Sequence, residues 1–144
     1  MLMWAVIAGI ALGVLSRSIA SVLELAEKTA VETAVMNMRS GLRIEKARRI
    51  AAGQSLRDLA TRNPLSFVRE EGRGDDWRAL SEQVKSISWI TDPREPMLAY
   101  QPERARYLKL QSGAADNTLV WRTQARAADG SDVEIVLVTP YEWF

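Results

Sequence analysis

Cysteine and histidine are both missing from this 144-residue chain, and the two absences remove most of the usual catalytic repertoire. Without cysteine there is no disulfide, no thiolate nucleophile and no sulfur-bound metal. Without histidine there is no ordinary general base near neutrality, and a common zinc ligand is gone. Excess charge is scarce too: 19 Lys and Arg stand against 18 Asp and Glu, so no bulk pull toward nucleic acid or an acidic partner follows. Carboxylates remain. Glu70, Glu71, Asp75 and Asp76 flank Gly72-Arg73-Gly74, but they lack the alternation of a calcium loop, and Arg73 sits among them. Residues 70–76 read as a solvated loop, with no metal or cofactor implied, and the chain does not read as an enzyme.

What the chain does contain is an apolar opening. Residues 1–15 carry no charge, and a helical apolar pattern runs on without proline through Val22, Leu25, Val31, Val35, Met38 and Leu42 to about residue 52. A membrane-spanning helix needs about 20 mostly apolar residues, and residues 1–23 supply them with Arg17 as the only charge. Arg17 can snorkel toward head groups. No Lys or Arg precedes the run and no break follows Ser21, so a cleaved secretory signal is not expected. The expectation is one long helix. Its first half, residues 1–25, is committed to lipid or other helices, and its second half, residues 26–53, can face water; a core helix of a soluble domain is the alternative. A chain beginning near Lys28 is expected to fold and stay in solution. Gly9 and Gly13, with Ala5, put small residues on one face, where backbones can approach closely.

Gly53 reads as the helix stop, with Arg48 and Arg49 in the last turns. Residues 54–76 hold a short helix over 56–61, capped by Ser55 with Asp58 completing a capping box, then the Asn63-Pro64 break and the loop. Residues 77–144 alternate as strands do. Ile87, Trp89 and Thr91 share a face, a turn over 92–96 leads to Met97-Leu98-Ala99-Tyr100, and Leu108 and Leu110 mark a third strand. Leu119, Trp121, Thr123 and Ala125 alternate up to the Asp129-Gly130 turn, after which Val133, Ile135 and Leu137 return. The expected fold class is α+β: an antiparallel meander of four to five strands covered by the second half of the helix. Its helix–sheet core is expected to hold Leu42, Ile87, Trp89, Tyr100, Trp121 and Ile135. Arg39, Arg43 and Lys46 form a basic stripe at helical spacing, a surface for phosphate or, more ordinarily, a solvated face with ion pairs such as Glu45 to Arg49. The tryptophans read as packing, with no aromatic–basic interleaving of nucleic-acid type.

The order of these features carries a resemblance. An unbroken apolar N-terminal helix, Ala30-Val31-Glu32, Met38-Arg39-Ser40-Gly41-Leu42-Arg43, the Gly53 stop, Asn63-Pro64-Leu65, Ser88-Trp89 leading to Asp92, and Leu98-Ala99-Tyr100 together resemble the type IV pilin and type II secretion pseudopilin superfamily, in particular its small pilin-like proteins. The resemblance implies a structural or accessory subunit that assembles through its N-terminal helix, with Trp4, Ala5, Val6, Gly9, Gly13, Leu15 and Arg17 on the assembling segment. The implied partners are other pilin-like subunits, the assembly platform and the inner membrane, with the body in the periplasm or in a filament; neither nucleic acid nor a small-molecule substrate is implied. Two departures qualify this. Ala5 stands where the family's assembly Glu would fall if Met1 is close to the mature start, which points to an accessory or tip-like role. The family's basic leader with its Gly is also missing, so the chain is either already trimmed or never processed. A membrane-anchored module that binds another envelope protein without entering filaments is the second reading.

Overall fold

The computed structural model describes residues 2–68, 75–111 and 116–144, the side chains of residues 2–11, 75–78, 80 and 81 excepted. Proline-free sequence forms one continuous helix, α1 (Leu2–Ala51). Gly53 ends it at φ +64°, a left-handed conformation glycine adopts without a Cβ penalty. Two bonds close the terminus, Gly53 N–H to Ile50 O at 3.1 Å and Gln54 N–H to Arg49 O at 2.9 Å, which satisfy carbonyls the helix would otherwise leave open.

Val31, Ala34, Val35, Met38 and Leu42 recur at spacings of three and four and are buried, while Met36, Ile44 and Ile50 on other faces stay exposed. That buried stripe anchors the body. Against it lies a 3₁₀ helix, Pro64–Phe67, capped by Asn63, whose Oδ1 accepts from the Leu65 N–H. The segment expected as an α-helix over 56–61 is another 3₁₀ turn, Arg57–Thr61. Its capping box does not form, because the Asp58 carboxylate pairs with Arg49 and Arg62; the Ser55 hydroxyl accepts weakly from Arg57 N–H at 3.3 Å.

A second helix, α2 (Asp75–Ser86), occupies sequence expected to be the end of a loop and the start of the sheet. Residues 69–74 lie outside the described residues, so only the last part of the expected 70–76 loop is tested, and Asp75 and Asp76 open the helix. Val84 is buried under α1 and the core. The extent of α2 explains why the strand expected at 87–91 shrinks to a single bridge, Ile90 to Ala99. Ile87 N–H and Trp89 Nε1–H both bond back to Val84 O, so the residues after α2 unwind from the helix and reach extended pairing only at Ile90.

The sheet is two pieces, and not one meander. β1 (Met97–Tyr100), β3 (Leu119–Ala125) and β4 (Val133–Leu137) form an antiparallel sheet in the order β1-β3-β4. The pairing sets Leu98 opposite Trp121 and Thr123 opposite Ile135. β2 (Leu108–Leu110) leaves that sheet and pairs with β5 (Tyr141–Trp143). The Asp129-Gly130 turn joins β3 to β4 as expected, Gly130 standing at φ +71°. Leu119, Trp121 and Thr123 alternate inward against exposed Arg122. Leu42, Tyr100, Trp121 and Ile135 are buried in the common core, with Ile87 and Trp89 half-buried against it. The Trp89 ring meets Tyr100 and Trp121 edge-on at 5.6 and 6.0 Å.

Candidate assembly helix and the groove beside it

The amino-terminal part of α1 stands clear of the body. Leu12, Val14, Leu15, Ile19, Val22 and Leu23 are all exposed, from 45% at Leu23 to 65% at Leu12, and a Cβ added at Gly13 would touch nothing within 4 Å. Leu15 and Arg17 share this exposure. Trp4, Ala5, Val6 and Gly9 lie on the same helix, but their side chains fall outside the described residues. Among the described residues no helix is long and apolar enough to cross a membrane.

The body first grips the helix at Glu24, ahead of the expected boundary at residues 25–28. Glu24 is 2% exposed, and its Oε1 accepts from Tyr107 N–H at 2.8 Å and Trp143 Nε1–H at 3.0 Å. One turn on, Glu27 accepts from Tyr100 O–H at 2.8 Å and from the backbone N–H groups of Glu103 and Arg104. These bonds tie the 101–107 segment and β5 to α1, and they are why β2 pairs with β5 beside the helix and not with the main sheet. Burial and the Glu27 carboxylate push the Tyr100 hydroxyl far above the ordinary tyrosine range. Burial and then Glu32 raise Tyr141 to about 12, so both phenols stay protonated donors at any physiological pH. A chain starting at Lys28 therefore discards two of the clasps that hold its carboxy-terminal strand. We expect a chain starting at Ser18 to melt several degrees above one starting at Lys28, measured by circular dichroism; equal midpoints would remove the clasp from the account.

The basic stripe divides. Arg39 Nε donates to Ile135 O at 3.1 Å, and Lys46 Nζ pairs with Asp132 and donates to Val133 O, so these two bridge α1 to the outer edge of β4. Arg48 and Arg49 converge on Glu45, with Nη2 of Arg48 at 2.7 Å and Nε of Arg49 at 3.0 Å. The expected Glu45–Arg49 ion pair is thus present. Arg43 is exposed and has no partner among the described residues. The hydrogen bond from Arg48, supported by Arg49, holds the Glu45 carboxyl down to about 2 from its usual 4.5. A carboxyl depressed in the folded state contributes stability above its unfolded pKa and loses it as pH falls toward the folded value. Asp58 and Asp132 are lowered in the same sense by Arg49 and Lys46. We expect the urea midpoint to fall between pH 4.5 and 2, and Glu45→Gln to flatten that slope; an unchanged slope in the variant would sink the assignment.

Sequence reasoning missed Glu24, Glu27 and Asn63. Asn63 was visible only as a helix breaker, yet its side-chain amide faces Thr91 Oγ1 and the carbonyl oxygens of Asp92, Glu95 and Met97. The Glu70-Glu71 end of the acidic segment lies outside the described residues. Comparison with known proteins returned no matching family model, no matching curated protein and no matching solved structure.

Proposed function

We propose that this protein is a pilin-like subunit, of the accessory kind, that assembles through the free amino-terminal arm of α1. The observation that carries the reading is the exposed apolar surface of that arm in a helix continuous with the body. From Leu2 to Leu23 the arm extends about 33 Å at 1.5 Å per residue, comparable with the roughly 30 Å hydrocarbon thickness of a bilayer. Six large apolar side chains on a single helix standing in water are unfavourable at about 25 cal/mol per Å² of apolar surface, so the arm calls for lipid, for the arms of other subunits, or for both in turn. Among the described residues the body packs on α1 from Glu24 onward, which leaves the arm free to exchange one cover for the other.

A photo-crosslinking residue placed at Leu15 or Val22 in the native host tests this. Crosslinks to the amino-terminal helices of other pilin-like subunits are expected. Crosslinks to lipid alone, with no filament subunit captured, would replace the filament reading with that of a membrane-anchored binding module. Recovery of the full-length protein in the aqueous fraction without detergent would overturn both.

A further inference from the structure

β4 is an edge strand of its sheet, and its outer edge is only partly closed. The Arg126 N–H to Asp132 O bond and the β3–β4 register fix the alternation: Glu134 and Val136 exchange bonds with β3, so Val133, Ile135 and Leu137 turn their backbone polar groups away from it. Lys46 and Arg39 occupy the carbonyls of Val133 and Ile135, and the Asp132 side chain takes the Val133 N–H. Among the described residues the outward N–H groups of Ile135 and Leu137 meet no acceptor, and they lie along the groove between β4 and α1. That groove has two adjoining parts. The first, about 460 Å³, lies among Arg39, Arg43, Lys46 and Arg126, with Asp132 and Glu134 as its carboxylates. The second, about 260 Å³, shares Arg39 and Leu137 with the first and is otherwise lined by Val35, Met36, Trp121 and Tyr141, with Glu32 as its one carboxylate, which accepts from the Tyr141 O–H and faces Lys28. Donors therefore dominate one end, apolar side chains the other, and an open strand edge runs between them.

Three occupants suit an excess of cations, and geometry separates them. A membrane surface does not fit beside the proposed arm: Arg39 lies 22 residues beyond Arg17, about 33 Å along the axis, several Debye lengths from head groups met at Arg17. Single-stranded nucleic acid is favoured by aromatic faces interleaved with cations, whereas here Trp121 is 3% exposed and the aromatic residues all lie at the end away from Arg43 and Arg126. An extended polypeptide fits all three features at once. We propose that the α1–β4 groove is a docking site for an extended, acidic segment of a partner protein. The segment lies along β4 with its backbone oxygens on the Ile135 and Leu137 N–H groups, a carboxylate on Arg43 and Arg126, and an apolar side chain in the Met36–Tyr141 hollow, a form of strand addition. Arg43 is the residue to which the carboxylate end of the ligand owes most, because among the described residues no partner competes for it, whereas Arg126 already lies 3.9 Å from Asp132. This site is separate from the apolar arm, so it stands or falls independently of filament assembly.

The test uses the full chain in neutral detergent and a fluorescein-labelled octapeptide of alternating valine and glutamate, read by anisotropy. We expect saturable binding that weakens as salt is raised, and a roughly tenfold loss with Arg43→Glu, equivalent to about 1.4 kcal/mol, in a variant whose melting temperature matches the parent. Met36→Asp should weaken binding independently, by placing a negative charge where the apolar side chain of an acidic segment would sit. An octapeptide of alternating valine and lysine should not bind, and one of alternating glycine and glutamate should bind more weakly than the valine peptide. Equal binding of the two glutamate peptides would reduce the site to a general anion patch and overturn strand addition. No binding at millimolar peptide, or binding indifferent to Arg43→Glu, would overturn the proposal outright, as would preferential binding of phosphatidylglycerol vesicles that Arg43→Glu abolishes.

Discussion

Gly41→Ala destabilises the body by about 3 kcal/mol, at the upper end of what overpacking costs, although α-helix propensity alone favours the change by about 1 kcal/mol. The two effects oppose each other, and distance decides between them. A Cβ on Gly41 would lie 1.8 Å from the Phe67 carbonyl oxygen and 2.9 Å from its carbonyl carbon. These are backbone atoms in the 3₁₀ helix capped by Asn63, so no side-chain rotation relieves the clash. Phe67 itself is 3% exposed within the core, and displacing its backbone pulls its ring from contact with α1. Chemical denaturation followed by tryptophan fluorescence measures the loss. A stabilised Gly41→Ala protein would mean that the 3₁₀ helix does not pack on α1 at this distance. Gly13→Ala is the control, because open space surrounds that position, and it should leave the body unchanged.

The parts legible in the sequence were those whose signal is local. α1 announces itself by an absence of proline and by the Gly53 stop, and the β3–β4 hairpin by alternation on either side of Asp129-Gly130. α2 was equally local in principle: Asp75 and Asp76 suit a helix start, and Trp77, Leu80 and Val84 follow at spacings of three and four. The signal was overridden by the charge and glycine just before it, which read as a loop continuing into the sheet. Glu24 and Glu27 belong to a different class. A glutamate inside a helical pattern reads as solvent-facing, and nothing near Glu24 in sequence reveals an indole partner 119 positions away. The split into two sheets has the same origin, since β2 and β5 are three residues each and their pairing is decided by where the helix holds the segment before β2. For the candidate sites, the basic stripe was visible as residues, but its division was not. Arg39 and Lys46 are committed to β4 and Arg43 is left over, a distinction that depends on which carbonyls of an edge strand point outward.

Asn63→Asp is the substitution that separates hydrogen bonding from shape at the junction of α1, the 3₁₀ helix and β1, and we expect it to cost about 3–5 kcal/mol at neutral pH, the range for a buried charge without its partner. Asn63 is 6% exposed. Its Nδ2 lies 2.6 Å from Thr91 Oγ1, 3.1 Å from Asp92 O, 3.0 Å from Glu95 O and 2.8 Å from Met97 O. One amide with two hydrogens thus gathers the whole 91–97 turn, while its Oδ1 caps the Leu65 N–H at 3.0 Å. Aspartate keeps the volume and the cap but turns an acceptor toward three carbonyl oxygens, and only the Thr91 hydroxyl can rotate its proton to meet it. Asn63→Ala loses the donor without adding a charge, so it should be destabilised less than Asn63→Asp at pH 7. The order should narrow in acid. A carboxyl surrounded by acceptors has its folded pKa raised, so the penalty is full above that raised value and fades as pH falls toward the unfolded value of about 3.9. Urea unfolding of the two variants at pH 7 and pH 4.5 reads this directly. If Asn63→Asp matches the parent at pH 7, the amide is not donating into the 91–97 turn, and the bridge from Ile90 to Ala99 must be held by the strand residues alone.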